Sequence, residues 1–414
     1  MTDTTLDPAD LLLQVLLTPD GKQDPYPAYA HMREEHPAFV LPVGAESVVV
    51  VSRYDDCQAV LRDPRFGKGQ DMNPWLTYGM SEEEWHERFP TWERRTRSLL
   101  GLNPPDHTRL RGLVAKAFTP KTVEDLRPGI ARLTDDLVGG FDGVHDVMAD
   151  LAWLLPMNVI SEMLGVPEPM RSELAPYVHR IVRTLELMVP LEVVEDAAAA
   201  GDHIADRFGE LIEERRAAPT DDLLSALVHV EEQGDVLTHD ELISTVILLF
   251  AAGFETTTNL IGNGLLALLE QPEQLQRVRD DRSLVKPCVE ELLRWDSPVQ
   301  IDGRTSFDGT EVHGVEVPAG STVLTLLGAA NRDPRKWDEP DVLDVGRQGP
   351  QPMSFAAGIH YCLGAPLARA EGQVVLERLL DTFPTIEPAW DDRPAFRNSI
   401  VLRGLEALPV RFGR

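Results

Sequence analysis

Apolar residues fall along this chain in two rhythms. Near the N-terminus a run of four valines, Val48–Val51, follows a Gly-containing turn, which predicts a strand pair over Ala38–Ser52. Beyond it an apolar residue recurs every three or four positions. That spacing predicts helices over Tyr54–Arg62, His107–Phe118, Val123–Leu137, Asp150–Leu164, Glu192–Arg216, Pro272–Arg282 and Leu284–Trp295. Thr238 has the character of an N-cap, with Glu241 three residues on, for a long helix reaching Leu269. From Ser297 the texture changes to short strands, Val299–Thr305, Glu311–Val317 and Thr322–Leu327, separated by Gly and Pro turns. A last helix, Ala365–Phe383, sets Leu367, Val375, Leu379 and Phe383 on one face. The pattern predicts a mainly α fold with small β-sheets. No repeat, low-complexity tract or linker divides it, so residues 1–414 read as a single domain.

The segment Leu242–Leu269 has no Lys or Arg and is long enough to span a bilayer. Its middle, however, carries Glu255, three threonines, Asn259 and Asn263, a costly set at mid-bilayer. It reads instead as a core helix with a polar interruption. Acidic residues exceed basic ones, 68 to 39, for a net charge of −29. Such a surface repels nucleic acid and anionic lipid, so neither nucleic acid nor a membrane is expected as a partner. Met1–Asp10 has no basic n-region, and Leu11–Leu17 is too short for a secretory leader. Three cysteines, Cys57, Cys288 and Cys362, form no metal-type C-x-x-C pair and no disulfide scaffold; a reducing cytoplasm is expected.

Two stretches carry candidate chemistry. In the first, Phe355–Gly364 reads F-A-A-G-I-H-Y-C-L-G. Gly358 and Gly364 permit a tight backbone path against a flat ligand. Cys362 stands at a helix entrance, where free N–H groups and the dipole favour thiolate. Such a thiolate, ligating haem iron, promotes O–O cleavage. The plainer reading is an inert buried thiol before a glycine-rich helix start.

In the second stretch, Ala252-Gly253-Phe254-Glu255-Thr256-Thr257 interrupts the long apolar helix with poor helix formers and an acid. Local propensity broken at the centre of a core helix points to function. The plainer reading is a kink, with threonines bonded back to the preceding turn. Reduction of dioxygen consumes two protons. The Thr256 hydroxyl can donate and hold water, Glu255 can relay protons from solvent, and Gly253 would open a groove for oxygen. Glu291-Leu292-Leu293-Arg294 adds an E-x-x-R whose charges share a helix face.

Taken together these segments resemble the cytochrome P-450 superfamily, in its soluble bacterial class. Phe355, Gly358, His360, Cys362 and Gly364 match that family's F-G-x-G-x-H-x-C-x-G loop, with Ala356 in place of its first glycine. Ala252–Thr257 is similar to its A-G-x-(D/E)-T-T stretch, and Glu291 with Arg294 to its buried E-x-x-R. The resemblance implies a long helix passing over haem b (iron protoporphyrin IX), Cys362 as the iron ligand and Glu255–Thr256 as the catalytic pair. It implies propionate partners at His107, Arg111, Arg304 and His360. The family's second arginine is replaced by Val342, so Arg347 or Arg335 is left to complete the ion-pair network.

The implied activity is a monooxygenase that uses O2 and acts on a mostly apolar small molecule. Trp75, Leu76, Met188, Leu248, Leu249, Val299, Ile301 and Ile400 are candidate pocket walls. The chain has no flavin or iron–sulfur segment, so a ferredoxin and ferredoxin reductase are the expected electron donors, drawn to Arg109, Lys116 and Arg369. Two other readings stay open: a peroxide-dependent haem peroxygenase and a non-catalytic haem-binding sensor.

Overall fold

The computed structural model describes residues 6–43, 46–69, 78–91, 98–187, 189–232 and 237–414. The chain resolves into two compact units and passes between them four times. Residues 1–67, 134–152 and 256–414 make the first, and residues 68–133 with 153–255 the second.

The first unit combines sheets and helices. Its largest sheet has five strands. Glu46–Val51 lies between Ala38–Val43, its antiparallel neighbour, and Thr322–Leu326, its parallel one. Ile301–Ser306 follows, and the two-residue Phe66–Gly67 closes the edge. The valine run suits its place: Val49, Val50 and Val51 are all buried, as a strand covered on both faces requires. Glu311–Val317, expected as one strand, is instead a hairpin of Thr310–Val312 and Val315–Val317. The reason is local. His313 and Gly314 both take positive φ, 48° and 80°, the geometry of a tight two-residue hairpin turn. A second sheet of Gly143–Asp146, Pro409–Gly413 and Thr385–Pro388 joins distant parts of the chain. Helices Val285–Trp295 and Ala365–Thr382 pack together within this unit.

The second unit is helical. Leu154–Leu164 ends on Gly165 at φ 72°, a left-handed stop. It begins later than expected, because Met148–Ala152 forms a π-type turn before it. Glu168–Val182 and Leu191–Ala217 pack side by side, tied by Arg180 to Asp196 and by Arg207 to Glu173. The expected capping box is present: Glu241 N–H donates to Thr238 Oγ1 at 3.2 Å, and Thr238 N–H to Glu241 Oε2 at 2.9 Å.

The long helix runs His239–Glu270. It is the one described helix long and apolar enough to cross a membrane, and 78% of its most apolar window is buried in the protein itself.

Candidate functional site

The cysteine loop is anchored in the core and opens outward. Met353 and Phe355 are buried, and Cys362 N–H donates to the Phe355 carbonyl at 3.0 Å. Cys362 itself is exposed, two residues ahead of the Gly364 N-cap of the Ala365–Thr382 helix. The other two thiols are buried. Burial pushes the Cys57 thiol well up and Cys288 up to about 12, the latter with help from the Glu291 charge. Cys362 is therefore the one cysteine placed to ligate.

Two backbone positions shape the loop. Gly358 has φ +73°, and a Cβ there would stand 2.1 Å from the Leu61 carbonyl oxygen, so only glycine fits. Ala356 departs from the family pattern yet keeps a glycine-type conformation, φ 56° and ψ −156°. The turn survives the substitution, at the cost of strain.

Arg304 is buried on the Ile301–Ser306 strand. Its Nη1 donates to Asp302 Oδ2 at 2.7 Å and to the Gly303 carbonyl at 2.8 Å. Its Nη2 is buried and has no hydrogen-bonding partner among the described residues. A guanidinium N–H left this way calls for an anionic oxygen, and a haem propionate fits that demand. His107 is also buried, and burial with the nearby Arg111 charge holds its pKa below the ordinary histidine value. It is thus neutral at neutral pH, and the positive charge of that helix rests on Arg109 and Arg111.

Among the described residues no three ligating side chains gather in a way that would hold a bare metal ion. A lone exposed thiol suits a metal whose remaining ligands arrive with a macrocycle.

On the long helix, exposure changes within one turn. Ala252 is exposed and Gly253 and Thr256 are half-buried, while Phe254, Glu255 and residues Thr257–Leu269 are buried. The alcohol is accessible and the acid is not. Phe254 packs edge-on against Trp153, with centroids 4.8 Å apart, and the Thr258 hydroxyl donates to the Ala152 carbonyl at 2.8 Å. A Cβ at Gly253 would meet Ile160 at 3.0 Å, so the missing side chain lets the Leu154–Leu164 helix pack close.

The E-x-x-R pair is buried and bidentate, with Arg294 Nε 2.7 Å from Glu291 Oε2 and Nη2 2.8 Å from Oε1. Arg347 completes it, its Nε donating to Glu291 Oε1 at 3.0 Å. Arg335 pairs instead with Glu34 and Asp333. Arg294 also donates to the carbonyls of Asn331, Pro340 and Val342.

Of the expected pocket walls, Leu249, Ile301 and Ile400 are buried and Leu248 and Val299 half-buried; Val299 packs on the apolar cluster around Val49, Val51 and Tyr54. Trp75, Leu76 and Met188 lie outside the described residues. Two of the three cations expected to draw a redox partner are engaged within the chain, Arg109 with Glu241 and Asp106, and Arg369 with Glu290. Sequence reasoning missed a further pair: Arg397 Nη2 donates to Asn259 Oδ1 on the long helix at 2.6 Å. The residues are 138 apart, so no local pattern announces it.

A helix-rich frame that offers one accessible cysteine at a helix entrance, and a buried arginine with an unmet N–H, is the arrangement a haem-thiolate protein needs. The Cytochrome P450 family profile matches residues 7–407. Cytochrome P450 107B1 of Saccharopolyspora erythraea is 39% identical over 402 residues, covering 94% of this chain and 96% of the relative. The Vitamin D(3) 25-hydroxylase of Pseudonocardia autotrophica is 38% identical over 402 residues, 94% of each chain. The crystal structure of P450BioI in complex with hexadec-9Z-enoic acid ligated acyl carrier protein superposes with a TM-score of 0.87 at 34% identity, covering 95% of this chain and 99% of that one. The chain belongs to the cytochrome P450 family and is a P450 monooxygenase, a haem oxidoreductase.

Proposed function

We propose that this enzyme inserts one atom of O2 into a mostly apolar small molecule, by hydroxylation or epoxidation, with electrons from a separate ferredoxin and ferredoxin reductase. The observation that carries the reading is the exposed Cys362 at the entrance of the Ala365–Thr382 helix, with both other thiols buried. When bound, haem b supplies the iron that activates O2 with two electrons and two protons.

The chain's own residues bind, orient and move protons. Cys362 would hold the iron as thiolate, on a loop shaped by the strained turn at Ala356 and the close approach at Gly358. Arg304, with His360, His107 and Arg111, would hold the propionates; the unmet Nη2 of Arg304 supports its part. Thr256, half-buried, donates a proton and holds water, and buried Glu255 supplies it. Leu248, Leu249, Val299, Ile301 and Ile400 would line the substrate site, with Trp75, Leu76 and Met188. The names of the relatives support an apolar substrate, one of them a vitamin D(3) hydroxylase and another bound to a C16 fatty acyl chain. We take residues 1–414 as one P450 domain, in a reducing cytoplasm where the three cysteines form no disulfide.

The test is spectral and kinetic. Reduced wild-type holoprotein under carbon monoxide should show the red-shifted band of thiolate-ligated haem, and Cys362→His should lose it. Turnover with a ferredoxin system should exceed turnover with hydrogen peroxide alone. The reverse order would identify a peroxygenase, and no oxygen use with any substrate would identify a sensor.

A further inference from the structure

The cysteine loop is pinned at both ends to one helix. At its entry the Ser354 hydroxyl donates to the Leu293 carbonyl at 2.6 Å. At its exit Arg369, in the second turn of the Ala365–Thr382 helix, grips Glu290 with both Nε and Nη2, the latter at 3.0 Å. Leu293 and Glu290 belong to the Val285–Trp295 helix, three residues apart and so on one face of it.

Arg369 does more than close an ion pair. Its Nη1 donates to the Tyr361 hydroxyl at 3.1 Å, and its Cζ lies 4.5 Å from the centre of the Phe355 ring. A guanidinium is planar and its N–H groups point outward in that plane, so it can lay its face on a ring while its edge bonds elsewhere. Here one side chain engages ring, hydroxyl and carboxylate together. Gln351 Nε2 donates to the same Tyr361 oxygen at 2.7 Å, and the Phe355 and Tyr361 rings meet edge to face, with centroids 6.3 Å apart.

Phe355 and Tyr361 both bear on Cys362. Tyr361 is its neighbour along the chain, and Phe355 supplies the carbonyl that accepts the Cys362 N–H at 3.0 Å. A shift of either residue therefore turns the backbone on which the sulfur stands. Cys362 is exposed and Tyr361 half-buried, so close packing does little to fix the direction of the sulfur.

We propose that Arg369 is a positioning residue for the iron ligand: by clamping Phe355 and Tyr361 to Glu290, it keeps the Cys362 N–H on the Phe355 carbonyl and the sulfur in a single orientation. The inference rests on the reading of Cys362 as the haem ligand. It gives Arg369 a task inside the protein in place of attracting a redox partner. Shape matters here as well as charge. A lysine carries its charge on one nitrogen, which cannot lie over the ring and at the same time span both carboxylate oxygens and the hydroxyl.

The test compares holoenzyme of wild type, Arg369→Met and Arg369→Lys. Two signals report on the thiolate: the electron paramagnetic resonance of the low-spin ferric haem, and the rate at which the reduced carbon monoxide complex loses its red-shifted band. Arg369→Met should broaden or split the resonance and lose the band several-fold faster than wild type, and Arg369→Lys should recover only part of either. Tyr361→Phe, which removes one bond of the clamp, should shift both signals to a lesser degree, and it decides the matter if Arg369→Met takes up no haem. A lower melting temperature with both signals unchanged would mean a merely structural role and overturns the proposal. Unchanged signals with weaker ferredoxin-dependent reduction would return Arg369 to a docking surface, and full recovery by Arg369→Lys would mean that charge alone suffices; either result overturns it. Wild type lacking the red-shifted band overturns the haem-thiolate reading and this inference together, whereas wild type showing it beside silent variants overturns the inference alone.

Discussion

Arg347 donates to the same Glu291 oxygen that Arg294 Nη2 already engages, so one buried carboxylate is shared by two guanidinium groups. Asp344 N–H donates to that oxygen as well, at 2.9 Å. Arg347 also binds the carbonyls of Asp338, Glu339 and Val342, which gathers the loop before the cysteine segment around one carboxylate.

Glu291→Ala leaves two guanidinium groups without their carboxylate, and Arg294→Ala takes from the buried carboxylate its bidentate partner. Arg294→Ala or Glu291→Ala should destabilise the holoprotein by about 3–5 kcal/mol, and Arg347→Ala by somewhat less. Arg335→Ala breaks a half-exposed pair with Glu34, worth about 0–1 kcal/mol, and one bond to buried Asp333, which keeps the Tyr54 N–H, so it should cost less than Arg347→Ala. Urea unfolding of the four variants checks the order, and a cost for Arg335 equal to that for Arg347 would contradict it.

Ala356 sits where glycine is at ease. Strain of this kind costs about 1–3 kcal/mol, against which glycine loses about 0.4–1 kcal/mol through the unfolded chain. Ala356→Gly should therefore stabilise the protein by about 1 kcal/mol, and Ala356→Val should destabilise it. Paired thermal melts of the holoproteins are the measurement; a lower melting temperature for the glycine variant would mean that the turn is unstrained.

Burial holds the Glu371 carboxyl well above the usual carboxylate range, and its Oε2 has no hydrogen-bonding partner among the described residues. The folded state then binds this proton more tightly than the unfolded chain. Its contribution is fully present below the unfolded value, about 4.3, and is lost as pH rises through the higher folded value. Glu371→Gln should remove that loss. Wild type and variant should match in stability near pH 4 and diverge as pH rises, with the variant the more stable at pH 8, in melts taken across the range.

The half-buried Thr256 and the buried Glu255 should separate kinetically. Thr256→Ala should still consume reductant but divert most of it to peroxide. Glu255→Gln should slow oxygen-dependent turnover roughly 10²-fold. Product and peroxide measured per reducing equivalent distinguish the two, and identical partitioning in both variants would remove the division of labour.

What the sequence made legible was local. The Tyr54–Arg62 helix, the Thr238–Glu241 box and the cysteine loop each rest on residues within a turn or two of one another. Less local features escaped. Glu168–Val182 contains Pro176, which hides a helix from a pattern read along the chain. The turn at His313–Gly314 needs positive φ at a histidine, which residue type alone does not announce. The choice between Arg347 and Arg335 depends on chain folded across more than fifty residues, and Gly253 could be assigned to packing only once Ile160 lay against it.

Because desolvation silences Cys57 and Cys288, this protein carries its own occupancy gauge. Brief alkylation of the apoprotein should add a single mass tag, on Cys362, and that tag should vanish in proportion to haem loaded. Intact mass would then count active subunits in a preparation with no optical calibration.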